Sequence, residues 1–243
     1  MSDHFSDKTI VVTGAAGNVG KRLVAQFCSA GGTVLAVDRN AIRLEQLKIE
    51  FPDIAILALD AASRTAAAQI VYAAKGTIDV LCNNAALIEA AVIEDIEEDV
   101  WDEIIRVNLT GPFLLSRQVV PLMVRHGGGV IINTGASASL RGGRCGPAYT
   151  ASKHGLLGLT QNIAGAYFDK GVRCNIVCPG HIQRNEGDPE VSVLQTSPLI
   201  VTRPWPKSST AEDIARLIVF LASDEAKAIN GAAIPVDEAS LAF

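Results

Sequence analysis

The chain has 243 residues, 49% of them hydrophobic and 19% charged, with a formal net charge of −5. That length suits one large α/β domain over 1–243, and the apolar fraction argues against disorder. The acidic balance without a basic run excludes nucleic acid as an expected partner, because phosphate binding needs a basic face. No apolar run approaches the roughly 18 residues of a membrane span. The start, MSDHFSDKTIVV, lacks the basic-then-apolar layout of a signal peptide, so a cytoplasmic protein with no membrane partner is expected.

Short apolar runs alternate with amphipathic stretches along the chain. Residues 8–13 read as a first strand, followed by glycines at 14, 17 and 20 and a helix over 19–30. Strands over 33–38, 54–60 and 78–82 alternate with helices over 41–50 and 64–75. A long helical stretch over 98–125 precedes a strand over 130–134. A helix over 148–169, a strand over 172–178, a helix over 211–222 and a strand over 232–236 complete the series. The strands are Val- and Ile-rich and mostly continuous in hydrophobicity, as strands covered on both faces are. The repeated βαβ order predicts a Rossmann-type, doubly wound parallel sheet of about seven strands with helices on both faces.

Residues 180–209 break this rhythm. They mix Pro189, Pro198, Pro204 and Pro206 with Trp205 and polar residues and show no period. A long loop after a strand's C-terminal end is where open α/β sheets place ligands, so a substrate-binding loop is expected there. The five cysteines, Cys28, Cys82, Cys145, Cys174 and Cys178, are odd in number and dispersed. Cys174 and Cys178 share a strand face but lie too far apart to bridge or chelate, and no metal site is expected. His4, His126 and His154 read as ordinary surface or helix residues.

The stretch Thr13-Gly14-Ala15-Ala16-Gly17-Asn18-Val19-Gly20 follows a strand and opens a helix. Glycines in that context allow a tight turn, backbone approach to a pyrophosphate and close packing of helix on strand. Asp38 ends the second strand, at the offset where a carboxylate binds the adenosine ribose diol and repels a 2′-phosphate, which favours NAD over NADP. Arg39 beside it is positioned to reach a phosphate instead. Tyr149 and Lys153, four apart on a helix, share one face. An ammonium near a phenol pulls the phenol's pKa down from about 10, making it a general acid or base beside a nicotinamide.

From Lys8 to Asp237 these motifs together resemble the short-chain dehydrogenase/reductase family. The turn at 13–20 matches the family's T-G-x-x-x-G-x-G, except that Asn18 follows Gly17 while Gly20 keeps its place. The resemblance implies that Gly14, Gly17, Asn18, Val19, Gly20, Asp38, Asp60, Asn84, Tyr149, Lys153, Pro179 and Ile182 bind the cofactor. Asp60 would touch adenine, Asn84 sits in Asn83-Asn84-Ala85-Ala86, and Ile182 would face the carboxamide. Asn108, Tyr149 and Lys153 would be catalytic, Asn108 by holding a water that links the lysine to solvent. The helices over 98–125 and 148–169 resemble the pair that joins subunits in the family, implying a homotetramer or homodimer.

Two departures stand out. Thirteen residues before the tyrosine, where the family places a serine that polarises the substrate oxygen, this chain has Ala136. Ser137 and Ser139 are the candidates to replace it. Glu238-Ala239 stands where the family often has two glycines. Arg184, Arg144, His181 and Gln183 near the expected pocket suggest a polar or anionic small-molecule substrate. The leading expectation is an NAD-dependent dehydrogenase acting on a secondary alcohol. The alternative, drawn from Ala136, is a dinucleotide-binding sensor or partner with weakened or lost catalysis.

Overall fold

The computed structural model describes residues 4–143, 145–184, 188, 192–196 and 207–242. In chain order the elements are β1 (Thr9–Thr13), α1 (Asn18–Ser29), β2 (Thr33–Asp38), α2 (Ala41–Glu50), β3 (Ala55–Ala58), α3 (Ala66–Ala73), β4 (Val80–Asn83) and β5 (Ile88–Ala90). There follow α4 (Glu98–Ile105), a π-helical turn (Arg106–Thr110), α5 (Gly111–Arg125), β6 (Gly129–Thr134), a 3-10 turn (Ser137–Ser139) and α6 (Pro147–Tyr167). The last are β7 (Val172–Pro179), β8 (Val193–Thr196), α7 (Ala211–Ala222) and β9 (Ala233–Val236).

Seven strands form one sheet in the order β3-β2-β1-β4-β6-β7-β9. Every neighbouring pair is parallel. The series grows outward in one direction from β1 and in the other from β4. Parallel strands turned that way leave a crevice beyond their C-terminal ends.

Strand alternation divides the core in two. Ile10, Val12, Val34, Ala36, Cys82 and Ile132 pack one face against Leu23, Val24 and Phe27 of α1 and Ile214, Ile218 and Leu221 of α7. Val11, Leu35, Val37, Leu81 and Ile131 pack the other against α3, α5 and α6 through Ile70, Leu115, Val119, Met123 and Ile163. Successive residues of one strand thus serve opposite layers, which is why the strands read as unbroken apolar runs. Helix starts are fixed locally. The Asn40 side chain accepts the Arg43 N–H at α2, and Thr210 and Asp213 form a capping box at α7.

The structure adds two things to the expected pattern. The helical stretch 98–125 is interrupted by the π turn at Arg106–Thr110, a local widening that often marks functional sites. A second, two-stranded parallel sheet pairs β5 with β8, so the expected substrate loop contains a strand. Of that loop, Pro189, Pro198, Pro204, Trp205 and Pro206 lie outside the described residues, as does Arg144.

Glu238 and Ala239 adopt φ of 50° and 63°. Left-handed backbone costs an L-residue roughly 1–2 kcal/mol, which explains why glycines suit this position. Gly180 packs beneath the turn, where an added Cβ would lie 2.9 Å from Asp237 Cβ. Glu238→Gly and Ala239→Gly should each stabilise the protein by about 0.5–1 kcal/mol net, raising the melting temperature by about 1–4 °C. Unchanged or lower melting temperatures in both variants would show that the turn stores no strain.

Candidate functional site

Gly14, at φ +63°, brings the turn after β1 against the end of β4, where a Cβ would lie 2.8 Å from Ala85 Cα. Gly20 seats α1 on the turn, since a Cβ there would lie 2.1 Å from the Gly14 carbonyl oxygen. Gly17 differs. It is the N-cap of α1 in extended backbone with no side-chain cap, and a Cβ would meet only the Gly14 oxygen, at 3.2 Å. The first-turn N–H groups of Asn18, Val19 and Gly20 therefore point outward from the positive end of the helix. The Asn18 Oδ1 is buried and has no hydrogen-bond partner among the described residues. Unused donors, an open N-cap and an orphaned acceptor together fit the pyrophosphate and sugar of a dinucleotide.

Polar side chains lace the neighbouring strand ends together. Thr13 Oγ1 accepts the N–H groups of Asn84 (3.0 Å) and Ala85 (3.2 Å). Asn84 Nδ2 donates to the carbonyls of Thr13 and Gly14, and its Oδ1 accepts from Thr134 Oγ1. Asp38 accepts the Ala16 N–H (3.1 Å) with one carboxylate oxygen and the Asn40 N–H (2.9 Å) with the other. It therefore borders the glycine turn at the end of β2. Asp60 accepts from Ala62 N–H and pairs with Arg106 at 2.8 Å, while Arg106 also grips Glu103 with two nitrogens.

Tyr149 and Lys153 lie one turn apart on α6, both buried. Lys153 Nζ donates to the Thr134 carbonyl at 2.8 Å and sits 5.5 Å from the Tyr149 ring centroid. Burial dominates both groups. It pulls the Lys153 ammonium down to about 8, against smaller opposing effects of Cys178 and Cys145. It pushes the Tyr149 phenol well above its ordinary value, with Cys145 and Cys178 adding to the rise. The five cysteines are free thiols. Burial raises Cys145 and Cys178 to about 11, so both stay protonated at neutral pH. Among the described residues, no cluster of His, Cys, Asp and Glu could hold a metal ion.

Asn108 lies in the π turn and is 1% exposed. Its side-chain oxygen accepts the Leu87 N–H, and its Nδ2 donates to the Leu87 carbonyl and to Ser152 Oγ. Those bonds pin the chain after β4 to α6. Ser152 Oγ in turn donates to the Tyr149 carbonyl at 2.7 Å.

Ala136 packs in one apolar cluster with Leu87, Ile104, Ala138, Ala148 and Tyr149, so a methyl group borders the phenol's surroundings. Ser139 is fully buried; its hydroxyl accepts the Ala136 N–H at 3.1 Å and hydrogen-bonds the Cys178 side chain, which together commit it to holding the turn. Ser137 is buried too, and no hydrogen bond of its hydroxyl is found among the described residues.

Pro179 ends β7, and Ile182 bridges to Ser209 just beyond. His181 Nδ1 lies 2.8 Å from Ser208 Oγ. The described part of the 180–209 segment reaches across the strand ends. Asp188 pairs with Arg22 of α1 at 3.4 Å, Ser192 Oγ accepts from Arg39, and Gln195 bonds the chain before α4.

Three contributors escaped the sequence reading. Thr134 meets Lys153 through its backbone carbonyl, which no residue type signals. Arg106 could have been suspected from Glu103 three residues before it. Glu89, a charged residue at 0% exposure, had no periodic context to mark it as buried.

Residues 8–190 match the family model described as short chain dehydrogenase. The chain is 36% identical to 3beta-hydroxysteroid dehydrogenase 2 of Eggerthella lenta, covering 96% of this chain and 94% of that one. It is 35% identical to short chain dehydrogenase adrF of Penicillium roqueforti, covering 97% of each. A solved oxidoreductase of the short chain dehydrogenase/reductase family from Burkholderia thailandensis superposes with a TM-score of 0.83 at 30% identity, over 97% of this chain and 93% of that one. No helix among the described residues is long and apolar enough to cross a membrane. With a seven-stranded parallel Rossmann sheet, a glycine turn open to a dinucleotide and relatives matched over nearly its whole length, the chain belongs to the short-chain dehydrogenase/reductase family of oxidoreductases, which use a nicotinamide dinucleotide.

Proposed function

We propose that the protein is an NAD(H)-dependent dehydrogenase interconverting a secondary alcohol and a ketone. The observation that carries this reading is the pair Tyr149 and Lys153, buried together on α6 with the ammonium held on Thr134 at the end of β6. The dinucleotide, when bound, supplies or takes up the hydride. Tyr149 gives a proton to the ketone oxygen or takes one from the alcohol. Lys153 favours the phenolate by its charge and is placed to bind the nicotinamide ribose. Asn108 fixes the chain around that pair and contributes to a relay of protons from Lys153. Asp38, against the glycine turn, supports NAD over NADP, and Asp60, Pro179 and Ile182 line the same cofactor.

Polarising the substrate oxygen falls in this reading to Ser137, because the Ser139 hydroxyl accepts from Ala136 and hydrogen-bonds Cys178, and position 136 carries no hydroxyl. For the substrate, Arg184, His181 and Gln183 support a polar or anionic alcohol. The relative named 3beta-hydroxysteroid dehydrogenase 2 and the apolar residues around Tyr149 support an alicyclic one. The exposed aromatic side chains of Trp101 and Phe113 on α4 and α5 support assembly into a homotetramer or homodimer. Light scattering that finds a monomer would remove that part.

Cofactor reduction measured with NAD and NADP against polyols, hydroxy acids and 3β-hydroxysteroids tests the rest. Turnover with NAD is expected, lost almost wholly in Tyr149→Phe. Ser137→Ala should lower it by roughly 10²–10³, as removal of an oxyanion donor does, while Ala136→Ser spares or raises it. Tight NADH binding with no turnover on any alcohol, and no response to these changes, would favour the sensor instead.

Lys153 also makes a pH-dependent contribution to stability. Its pKa is about 8 when folded, against an ordinary value of 10.5. Between those values the unfolded chain binds more protons than the folded one, so this contribution rises with pH across the window. In the cofactor-free protein, the melting temperature of wild type relative to Lys153→Met should climb between pH 8 and pH 10. A difference that is flat or falling over that range would mean that the ammonium is not desolvated.

A further inference from the structure

The N-terminus of α6 starts at Gly146, yet neither Gly146 nor Pro147 carries a side chain able to cap it, and no side-chain cap comes from the N-cap residue. The cap comes from a distant strand. Glu89 Oε1 accepts the N–H groups of Ala148 (2.7 Å) and Tyr149 (3.1 Å), and Oε2 accepts the N–H of Ala91 (3.1 Å). The Gly146 N–H donates to the Glu89 carbonyl at 3.1 Å, so backbone and side chain both clasp the helix start.

Glu89 is 0% exposed, and among the described residues no cation pairs with it. A buried carboxyl group without a cation is costly unless N–H dipoles replace water. Here three backbone donors and the positive end of a 21-residue helix do so. The position is shaped for it: a Cβ on Gly146 would fall 1.5 Å from Glu89 Oε2. Glu89 also sits at the centre of β5, whose pairing with β8 fixes the pleat and hence which way position 89 faces.

We propose that Glu89 is a positioning residue for Tyr149: its carboxyl group, carried on β5, holds the peptide N–H of Tyr149 itself and so sets where the phenol stands in the crevice. This rests on the assignment of Tyr149 as the proton-transfer group. Removing Glu89 loosens the first turn of α6, whereas Lys153, a turn further on and tied to Thr134, keeps its place. The distance between the two then varies, and the step that suffers is proton transfer.

Two variants attack the contact from opposite sides. Glu89→Gln keeps the shape but leaves one acceptor oxygen for three N–H groups. Gly146→Ala puts a methyl where the carboxyl group lies. Hydrogen exchange of the backbone amides reads the placement without any substrate. Both variants should speed exchange at Ala148 and Tyr149 by about tenfold, the scale of a lost helix cap, while Ile163 and Ala164 in the same helix stay protected. With a 3β-hydroxysteroid as the probe, kcat should fall by about tenfold, with KM for NAD and NADH binding unchanged.

Unchanged exchange at 148 and 149 overturns the proposal. So does local loosening with kcat intact, or a loss of kcat accompanied by equal loosening throughout the helix and weaker NADH binding. A wild-type protein that fails to turn over any alcohol would defeat the dehydrogenase reading instead, and the exchange pattern would still decide whether Glu89 holds Tyr149.

Discussion

An ammonium group buried to 1% exposure must exchange its water for fixed dipoles, and in this protein the Thr134 carbonyl provides one. The cost of burying an ion unaided is several kcal/mol, so the contact restricts where α6 can lie. The helix has to cross the C-terminal end of β6 with residue 153 facing the sheet, which brings Tyr149 to the same edge. Thr134 is held in turn, through its hydroxyl, by Asn84, which also grips the glycine turn after β1. One chain of polar contacts thus links the open start of α1 with the tyrosine–lysine pair across three adjacent strands. The sites proposed for the cofactor and for proton transfer are thus registered to each other by the sheet itself.

The fold was legible in the sequence to a large degree because its strands are buried on both faces. Val11 and Val12 serve opposite layers, and continuous apolar runs of this kind separated by helical periods leave few alternatives to a parallel sheet. The glycine turn and the Tyr149–Lys153 spacing were legible for a similar reason, since each is a short-range pattern with a local geometric meaning. What stayed hidden depends on distant partners. Strand β5 is three residues long and β8 lies in a segment without period, and each is a strand only because the other is there. The Glu89 contact joins residues about 60 positions apart, and sequence offers no sign of it. The π turn also escaped notice, since a widened turn inside a helix leaves the apolar spacing on either side nearly intact.

The departures from the family's pattern are absorbed in different ways. Asn18 follows Gly17 in the turn, and its side-chain oxygen is left buried and without a hydrogen-bond partner among the described residues. Glu238 and Ala239 take left-handed backbone that glycine would take at less cost, and the turn is held by Asp237, which accepts from the Ser240 hydroxyl and the Leu241 N–H. Ala136 is the departure that touches chemistry. Its methyl contributes to the apolar surroundings of Tyr149, while its own N–H is used by Ser139 to close the turn.

Those apolar surroundings bear on how the pair exchanges protons. The sequence suggests that Lys153 acidifies Tyr149, yet in the cofactor-free protein burial acts on each group in the direction that opposes charge. On the phenol, burial outweighs the charge of Lys153. At an effective dielectric constant near 20, a unit charge about 5.5 Å away is worth about 3 kcal/mol, roughly two pKa units. That assistance exists only while Lys153 is protonated, and with a pKa of about 8 its charge fades as the solution becomes alkaline enough to deprotonate phenols. At neutral pH the resting state is a protonated phenol beside a mostly charged lysine. In the proposed mechanism, alcohol oxidation must first remove the phenol's proton. In the proposed dehydrogenase, the same apolar enclosure keeps the proton on Tyr149 until cofactor and substrate change its surroundings.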